Sequence, residues 1–526
     1  MDNLQFFHYL LVLMAGACAL SWIADRLSFP PALALLVGGC CVAVVGGQSP
    51  EIDPPFVLSA VLPPLLMAGA FYTAWEQFRR ELGAITSLAL GAVIFTTLVV
   101  ASVVHLLNPS VPWSACFTLG AIVSPPDAVA AKAILQRNPL SDRLMTTLEG
   151  ESLINDASSL LFYRIAILST STTDINLAKG GIVFLTLIAV GVGVGAVGGM
   201  AMTWLLKRIA DVSIGITVTF VMAWTSYAIA ERMGGSGVLS VVTCGLILGI
   251  CQHRIFGASM RVKAKATWEA VEFVLSSLVF VLIGLALHGI LTRMQQNESM
   301  LADGLAMAIP AILATFVARL LWVGVTMYLP GQMFQRASWL RTWSLREAVI
   351  LSWASSRGVV TLIAALALPA TFPARDLIIF TSFALIVSTL VFQGGTLSLV
   401  IRLMGIAPVR RQTMSELEAR SSVFNGPLHE LLRRKALNRD VDDVALERLL
   451  HEYKVRVENN ERAHREGAER ADFRARQLRL ELEMVSVSRK ALLRLSDESL
   501  IDDAVLHRIE AELDLEEMRL LRLLGP

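Results

Sequence analysis

Apolar runs of about 20 residues follow one another from the N-terminus to about residue 404, and nothing constrains the fold of this chain more. A helix needs about 20 apolar residues to cross roughly 30 Å of hydrocarbon, fewer if it is re-entrant or broken. The runs fall near residues 4–24, 31–47, 55–74, 84–107, 112–135, 144–168, 181–206, 212–231, 237–251, 268–291, 303–329, 346–368 and 375–404. They predict an all-α polytopic membrane protein with about thirteen transmembrane helices. Composition agrees: of 526 residues 55% are hydrophobic and 17% charged, with a mean hydropathy of +0.61, more apolar and less charged than soluble domains. A net charge of +1 gives no reason to expect nucleic acid as a partner. Cys18, Cys40, Cys41, Cys116, Cys244 and Cys251 lie in or beside apolar runs without paired spacing, so neither a disulfide framework nor a zinc site is expected. The first run lacks the basic flank and cleavage site of a signal peptide and is expected to be a retained helix.

Lys and Arg concentrate in cytoplasmic loops. Alternate loops hold Arg26; Arg79 and Arg80; Lys132, Arg137 and Arg143; Lys207 and Arg208; Arg254, Arg261, Lys263 and Lys265; and Arg336, Arg341 and Arg346. The intervening loops hold Lys179, Arg232, Arg293 and Arg375. The bias predicts an N-terminus outside and, after an odd number of spans, a cytoplasmic C-terminus.

Near residue 408 the composition turns rich in Arg, Glu, Leu and Asp and poor in Gly. Leucines at three- and four-residue spacing predict amphipathic helices. Asn438-Arg439-Asp440 and Ser496-Asp497-Glu498 are expected breaks or caps, which excludes one long coiled coil. The predicted organisation is a transmembrane domain over 1–407 and a cytosolic α-helical domain over 408–526.

Chemistry enters the membrane part at three places. Ser124-Pro125-Pro126-Asp127 interrupts an apolar run, and its prolines remove backbone donors and clash with the preceding turn, so the helix is expected to break there. Helices broken at mid-membrane, with their ends pointing at a substrate, are a recurring device of secondary transporters. Next comes Glu149-Gly150-Glu151-Ser152-Leu153-Ile154-Asn155-Asp156, with three carboxylates and an amide in a membrane helix. Buried charge costs several kcal/mol, so an intramembrane Asp marks a functional site. Helical spacing puts Ser152 and Asp156 on one face and Glu151 and Asn155 on another. Hard monovalent cations want oxygen ligands, which Asp156, Asp127, Ser152, Asn155 and unwound carbonyls supply. Asp156 is the expected exchanged site, because a desolvated carboxylate can hold a proton or a metal ion, and Na+ is placed at Asp156, Asp127 and Ser152. Third are the intramembrane arginines. Arg357, in Ser355-Ser356-Arg357-Gly358, needs a carboxylate or carbonyl partner; Arg319 reads as a buried structural partner; Arg164, near the outer end of its helix, is expected to snorkel.

The string Gly193-Val194-Gly195-Ala196-Val197-Gly198 matches a dinucleotide fingerprint, but that motif requires a strand, turn and helix of a soluble unit. Small residues that let helices approach closely are the reading here.

The ordered set Gly120-Ala121-Ile122-Val123-Ser124-Pro125-Pro126-Asp127-Ala128-Val129-Ala130, Glu149 to Ala157, Trp268-Glu269-Ala270-Val271-Glu272-Phe273-Val274 and Arg357-Gly358-Val359-Val360-Thr361-Leu362 resembles the bacterial sodium/proton exchangers of the monovalent cation:proton antiporter superfamily, over roughly residues 1–405. The resemblance implies an electroneutral exchanger of the cell (inner) membrane, a homodimer surrounded by lipid, with a dimerisation domain and a mobile core of inverted repeats and broken crossing helices. It implies that Asp156 binds cation and proton in turn and that Asn155 marks the electroneutral branch. It also implies that Glu151 pairs with an arginine, placed at Arg357. The broken helix of the family usually reads Thr-Asp-Pro; here it reads Pro126-Asp127-Ala128, without the threonine. The expected function is exchange of Na+, or of Li+ or K+, for H+ by alternating access in pH and sodium homeostasis, with no cofactor and no enzymatic activity. The alternatives are a cation channel or a proton-coupled transporter of another solute. Asp127 and Asp156 formally supply the pair of an aspartyl hydrolase, but nothing else suggests a peptide site.

Overall fold

The computed structural model describes residues 3–27, 31–46, 54–127, 141–171, 177–295, 298–333, 343–369, 371–405, 416–436, 443–465, 467–498 and 503–524. Every regular element among them is helical. The chain forms two compact units, Met1–Val409 and Arg410–Pro526. The second half of the expected broken span (128–135), the loop bases Lys132, Arg137, Arg336 and Arg341, and the expected break at Asn438-Arg439-Asp440 lie outside the described residues.

The first unit begins with α1 (Asn3–Arg26), α2 (Pro31–Gly46), α3 (Pro54–Phe71) and the short α4 (Trp75–Arg80). One long run follows, with α5 (Leu82–Thr86), a π-helical turn (Ser87–Ala92) and α6 (Val93–Leu107). Then come α7 (Trp113–Val123), α8 (Asp142–Ser171), α9 (Leu177–Leu206), α10 (Val212–Arg232), α11 (Gly237–Ile255), α12 (Ala258–Gln295) and α13 (Glu298–Met333). The segment expected as one span over 346–368 divides into α14 (Leu345–Trp353) and α15 (Val359–Leu366), with Ala354 to Gly358 non-helical. The last run joins α16 (Arg375–Ser388), a second π turn (Thr389–Gly394) and α17 (Gly395–Met404).

Helices occupy the expected segments, but six stretches among the described residues are long and apolar enough to cross a membrane: Leu82–Leu107, Gly181–Leu206, Val212–Arg232, Ser259–Ala286, Leu301–Thr326 and Arg375–Met404. Pro31–Val44, Ser59–Phe71, Trp113–Val123 and Gly237–Gln252 are apolar but shorter. The stretch around Glu151 is diluted by its polar groups, and the one around Arg357 is divided into helices of 9 and 8 residues, so neither is among them.

The helices pack in two groups. In one, α9 lies on α11, α12 on α2, and α3 on α10 and α11. In the other, α6 lies on α7 and α13, α7 on α8, and α13 on α14 and α16. This second group is two sets of three consecutive spans whose middle member is interrupted: α7 stops at Val123, and α14 and α15 are separate. Glycine sets the spacing in the first group. A Cβ at Gly191 would come within 2.6 Å of the Ser236 carbonyl oxygen and one at Gly195 would collide with that of Ser240, so α9 and α11 touch backbone to backbone. Gly193, in the same string, has nothing within 4 Å and faces away.

The second unit holds two helix pairs, α18 (Glu416–Ala436) with α19 (Asp443–Arg465) and α20 (Gly467–Asp497) with α21 (Asp503–Leu524). Leu478, Val485 and Leu520 form the core of the latter pair, and Arg489 on α20 bonds Asp514 (2.7 Å) and Glu517 (2.6 Å) on α21. α20 ends at Asp497, inside the expected Ser496-Asp497-Glu498 break.

Candidate cation site

The two interruptions meet. Past Val123 the chain leaves the helix at Ser124-Pro125-Pro126, since proline offers no N–H to the ladder. The Asp127 N–H then donates to the Ser356 carbonyl at 2.6 Å, and the Ser356 hydroxyl donates to the Asp127 carbonyl at 3.3 Å. Each break thereby satisfies backbone groups that the other exposes, which matters where no water competes.

Charge is disposed around these breaks by helix polarity. The last carbonyls of a helix carry partial negative charge and its first N–H groups partial positive charge. Arg357 Nε donates to the Val123 carbonyl at 2.9 Å and a terminal nitrogen to that of Ser124 at 3.3 Å, so the guanidinium closes the C-terminus of α7. A third bond reaches the Ser355 carbonyl, and the Arg357 N–H donates to Thr389 Oγ1 at 3.0 Å in the second π turn. At the start of α15 the Asp127 carboxylate lies over Gly358, where any Cβ would overlap it. A carboxylate there faces the positive end of α15.

Glu151 is taken up elsewhere. Arg319 on α13 grips it with both terminal nitrogens, the second at 2.7 Å, and both side chains are fully buried. This corrects the expected partner: Glu151 pairs with Arg319, and Arg357 serves backbone carbonyls. The reason is placement. Arg357 lies within the break, where unpaired carbonyls converge, while Arg319 projects from the middle of α13 toward the buried face of α8. Arg164, expected to snorkel, keeps partial exposure and pairs with Glu231 at the end of α10.

Asn155 is fully buried. Its Nδ2 donates to the Pro126 carbonyl at 2.8 Å, which ties α8 to the first break, and among the described residues its Oδ1 receives no hydrogen bond. Ser158, one turn on, donates to the Ala89 carbonyl at 2.6 Å in the first π turn, and Trp322 Nε1 takes the Ser87 carbonyl at 3.1 Å. The two faces of α8 differ as the helical spacing predicts. Glu151 and Asn155 are buried, while Ser152 and Asp156 keep partial exposure. Asp156 lies within electrostatic reach of Asp127, and among the described residues no group donates a hydrogen bond to its carboxylate. Expected site residues Ser124, Pro126, Asp127, Asn155 and Arg357 are brought into one hydrogen-bonded cluster, with Pro125 inside the break. Ser152 shares the Asp156 face; Glu151 and Arg319 form the separate buried pair. The sequence reading missed Thr389 and Ser158, hydroxyls in apolar helices whose only signal is polarity in a span. In the sequence Ser356 and Gly358 signal no more than a local bend.

A carboxylate and an amide oxygen that, among the described residues, accept no hydrogen bond beside a broken helix can take a proton or a small cation without rebuilding the backbone around them. Comparison with known proteins points the same way. The chain is 30% identical over 441 residues to the Na(+)/H(+) antiporter ApNhaP of Aphanothece halophytica, covering 82% of this chain and 81% of that one. It is 27% identical over 546 residues to the uncharacterized Na(+)/H(+) exchanger YjcE of Escherichia coli, covering 98% of both. In fold it resembles the sodium proton antiporter MjNhaP1 of Methanocaldococcus jannaschii, with a TM-score of 0.62 at 17% identity, over 77% of this chain and all of that one. The family model for the transmembrane part of sodium/hydrogen exchangers matches residues 10–403, a span that contains both breaks and every residue of the cluster, and the chain therefore belongs to the sodium/hydrogen exchanger family.

Proposed function

We propose that the protein exchanges one monovalent cation, Na+ first and Li+ or K+ as alternatives, for one proton at Asp156. The observation that carries this reading is the division of labour among the acidic groups. Glu151 is held by Arg319 and Asp127 faces the start of α15, whereas the Asp156 carboxylate accepts no hydrogen bond among the described residues. It is the carboxylate left to change partners.

In this mechanism the cation is held by Asp156, Asn155 Oδ1 and Ser152, with Asp127 and the carbonyls of the first break nearby. Oxygen ligands of this kind suit a hard cation. Protonation of Asp156 removes the charge that holds it. One positive charge replaces another, so the exchange is electroneutral and driven by the Na+ and H+ gradients. The helix group carrying α7, α8 and α15 moves against the group carrying α9 to α12, opening the site to each side in turn. We place the protein in the cell membrane as a homodimer among lipids, N-terminus outside and C-terminus cytoplasmic, in pH and sodium homeostasis.

The test is proton movement in proteoliposomes with an internal pH dye, as Na+, Li+ and K+ are added in turn, with and without a clamp on membrane potential. The expected result is alkalinisation or acidification that follows one cation and ignores the clamp, and that disappears in Asp156→Asn. Cation-driven flux that persists in Asp156→Asn, or that follows the clamp, overturns the proposal in favour of another site or a channel.

A further inference from the structure

The second unit carries an apolar stripe that its own folding leaves bare. On α20 the core-facing residues Leu478, Val485 and Leu492 are buried. A second row, Leu480, Met484, Val487 and Ala491, runs along another face of the same helix at steps of four, three and four residues. In this row Leu480 is 57%, Met484 52% and Val487 54% exposed, and Ala491 is exposed as well. A helix apolar on two faces has two partners, and α21 covers one. Alternating three- and four-residue steps are the seam of a two-stranded coiled coil, in which each side chain inserts between those of an identical helix.

The charges beside the row select the occupant. With Leu480 and Val487 as d residues and Met484 and Ala491 as a residues, Arg476 falls at g and Glu481 at the following e. In a parallel pair g of one helix meets e of the other five residues on, so Arg476 faces Glu481 of the second helix, twice by symmetry. Glu481 already accepts a bond from Gln477 at 3.1 Å through one oxygen, which leaves the other for this contact. The other flanks, Glu483 at g against Ser488 at e and Lys490 at g against Leu495 at e, oppose no like charges.

We propose that α20 is an interaction surface for a second copy of this chain, pairing in parallel with its counterpart along Leu480, Met484, Val487 and Ala491. The inference extends the homodimer of the proposed function to the second unit and rests on it. It gives that unit a function of its own, joining the two protomers outside the membrane-spanning part.

The experiment uses the full chain in lipid nanodiscs, with the six native cysteines replaced. A parallel seam puts residue 487 opposite itself, so oxidised Val487→Cys is expected to run as a disulfide-linked dimer. Ser486→Cys, exposed and turned about 100° away, is expected to cross-link at least tenfold less. Val487→Asp is expected to reduce cross-linking through Leu480→Cys at least tenfold, and Glu481→Arg to weaken it in a way that Arg476→Glu restores. Dimeric particle mass without a Val487→Cys link, or equal linking at Ser486→Cys, overturns the seam and leaves the dimer standing. Monomeric mass overturns both.

Discussion

Arg319 on α13 holds both carboxylate oxygens of Glu151 on α8, 168 residues away in sequence, inside a helix bundle where neither side chain meets solvent. The pair fastens the helix that carries Asp156 to its own helix group. Removing one member leaves an uncompensated buried charge, at a cost of about 3–5 kcal/mol, whereas replacing both by apolar groups is nearly neutral. Arg319→Met and Glu151→Met are each expected to lower thermal stability in detergent, and the double variant to recover most of it. Strong coupling of Glu151 to Arg357 instead, in a double-mutant cycle, would contradict the pairing.

Gly358 is required by contact rather than by conformation, since its φ of −140° is open to any residue. A methyl group there displaces the Asp127 carboxylate from the start of α15. Gly358→Ala is therefore expected to insert and fold but to exchange cations at least tenfold more slowly. Normal transport by this variant would show that Asp127 has room to move without consequence.

Asn155 is tied to the first break through the Pro126 carbonyl, and among the described residues its buried Oδ1 has no hydrogen-bond partner. Leaving a buried carbonyl unpaired costs about 1–3 kcal/mol. Asn155→Ala should raise the cation concentration for half-maximal exchange about tenfold or more, because about 1.4 kcal/mol is a factor of ten. Unchanged cation dependence would remove Asn155 from the site.

The backbone contact of α9 with α11 predicts a contrast within one sequence string. Gly195→Ala pushes against the Ser240 carbonyl and should cost about 1–3 kcal/mol, as overpacking does. Gly193→Ala meets nothing within 4 Å and should be neutral. Melting curves of the two variants in detergent decide it; equal shifts would mean the helices sit further apart.

In the second unit Lys435 on α18 bonds Glu447 on α19 at 2.9 Å, and that hydrogen bond, followed by the lysine's charge, holds the Glu447 carboxyl below the usual carboxylate range. A depressed folded value means that the contribution is present above the ordinary value and is lost as pH falls through the depressed one. The stability difference between the parent and Lys435→Ala should therefore be constant from pH 8 to 5 and vanish only below about 4, the range in which carboxylates protonate. A difference that changed between pH 8 and 6 would make this contact a physiological pH sensor, which is not expected.

The fold class and much of the local design are legible along the chain. Hydropathy marks the segments that the helices occupy, although the run at 346–368 divides in two. Pro125 and Pro126 take two N–H groups out of the ladder, although Pro63-Pro64 do the same inside α3 without ending it, and helical spacing separates Ser152 and Asp156 from Glu151 and Asn155, because these effects act within a few residues. Which residue meets which is set by packing. Arg319 and Arg357 are both intramembrane arginines, and no spacing rule tells which one faces Glu151 and which one closes α7. That depends on how α13 and the α14–α15 break pack against α7 and α8 across more than 150 residues of chain. The same holds for Thr389 and Ser158, whose roles exist only because a π turn exposes a carbonyl or a neighbouring break brings an N–H. Local chemistry is written along the chain; partners for buried charge are assigned by packing, because a guanidinium in hydrocarbon takes whichever acceptor the fold brings within reach.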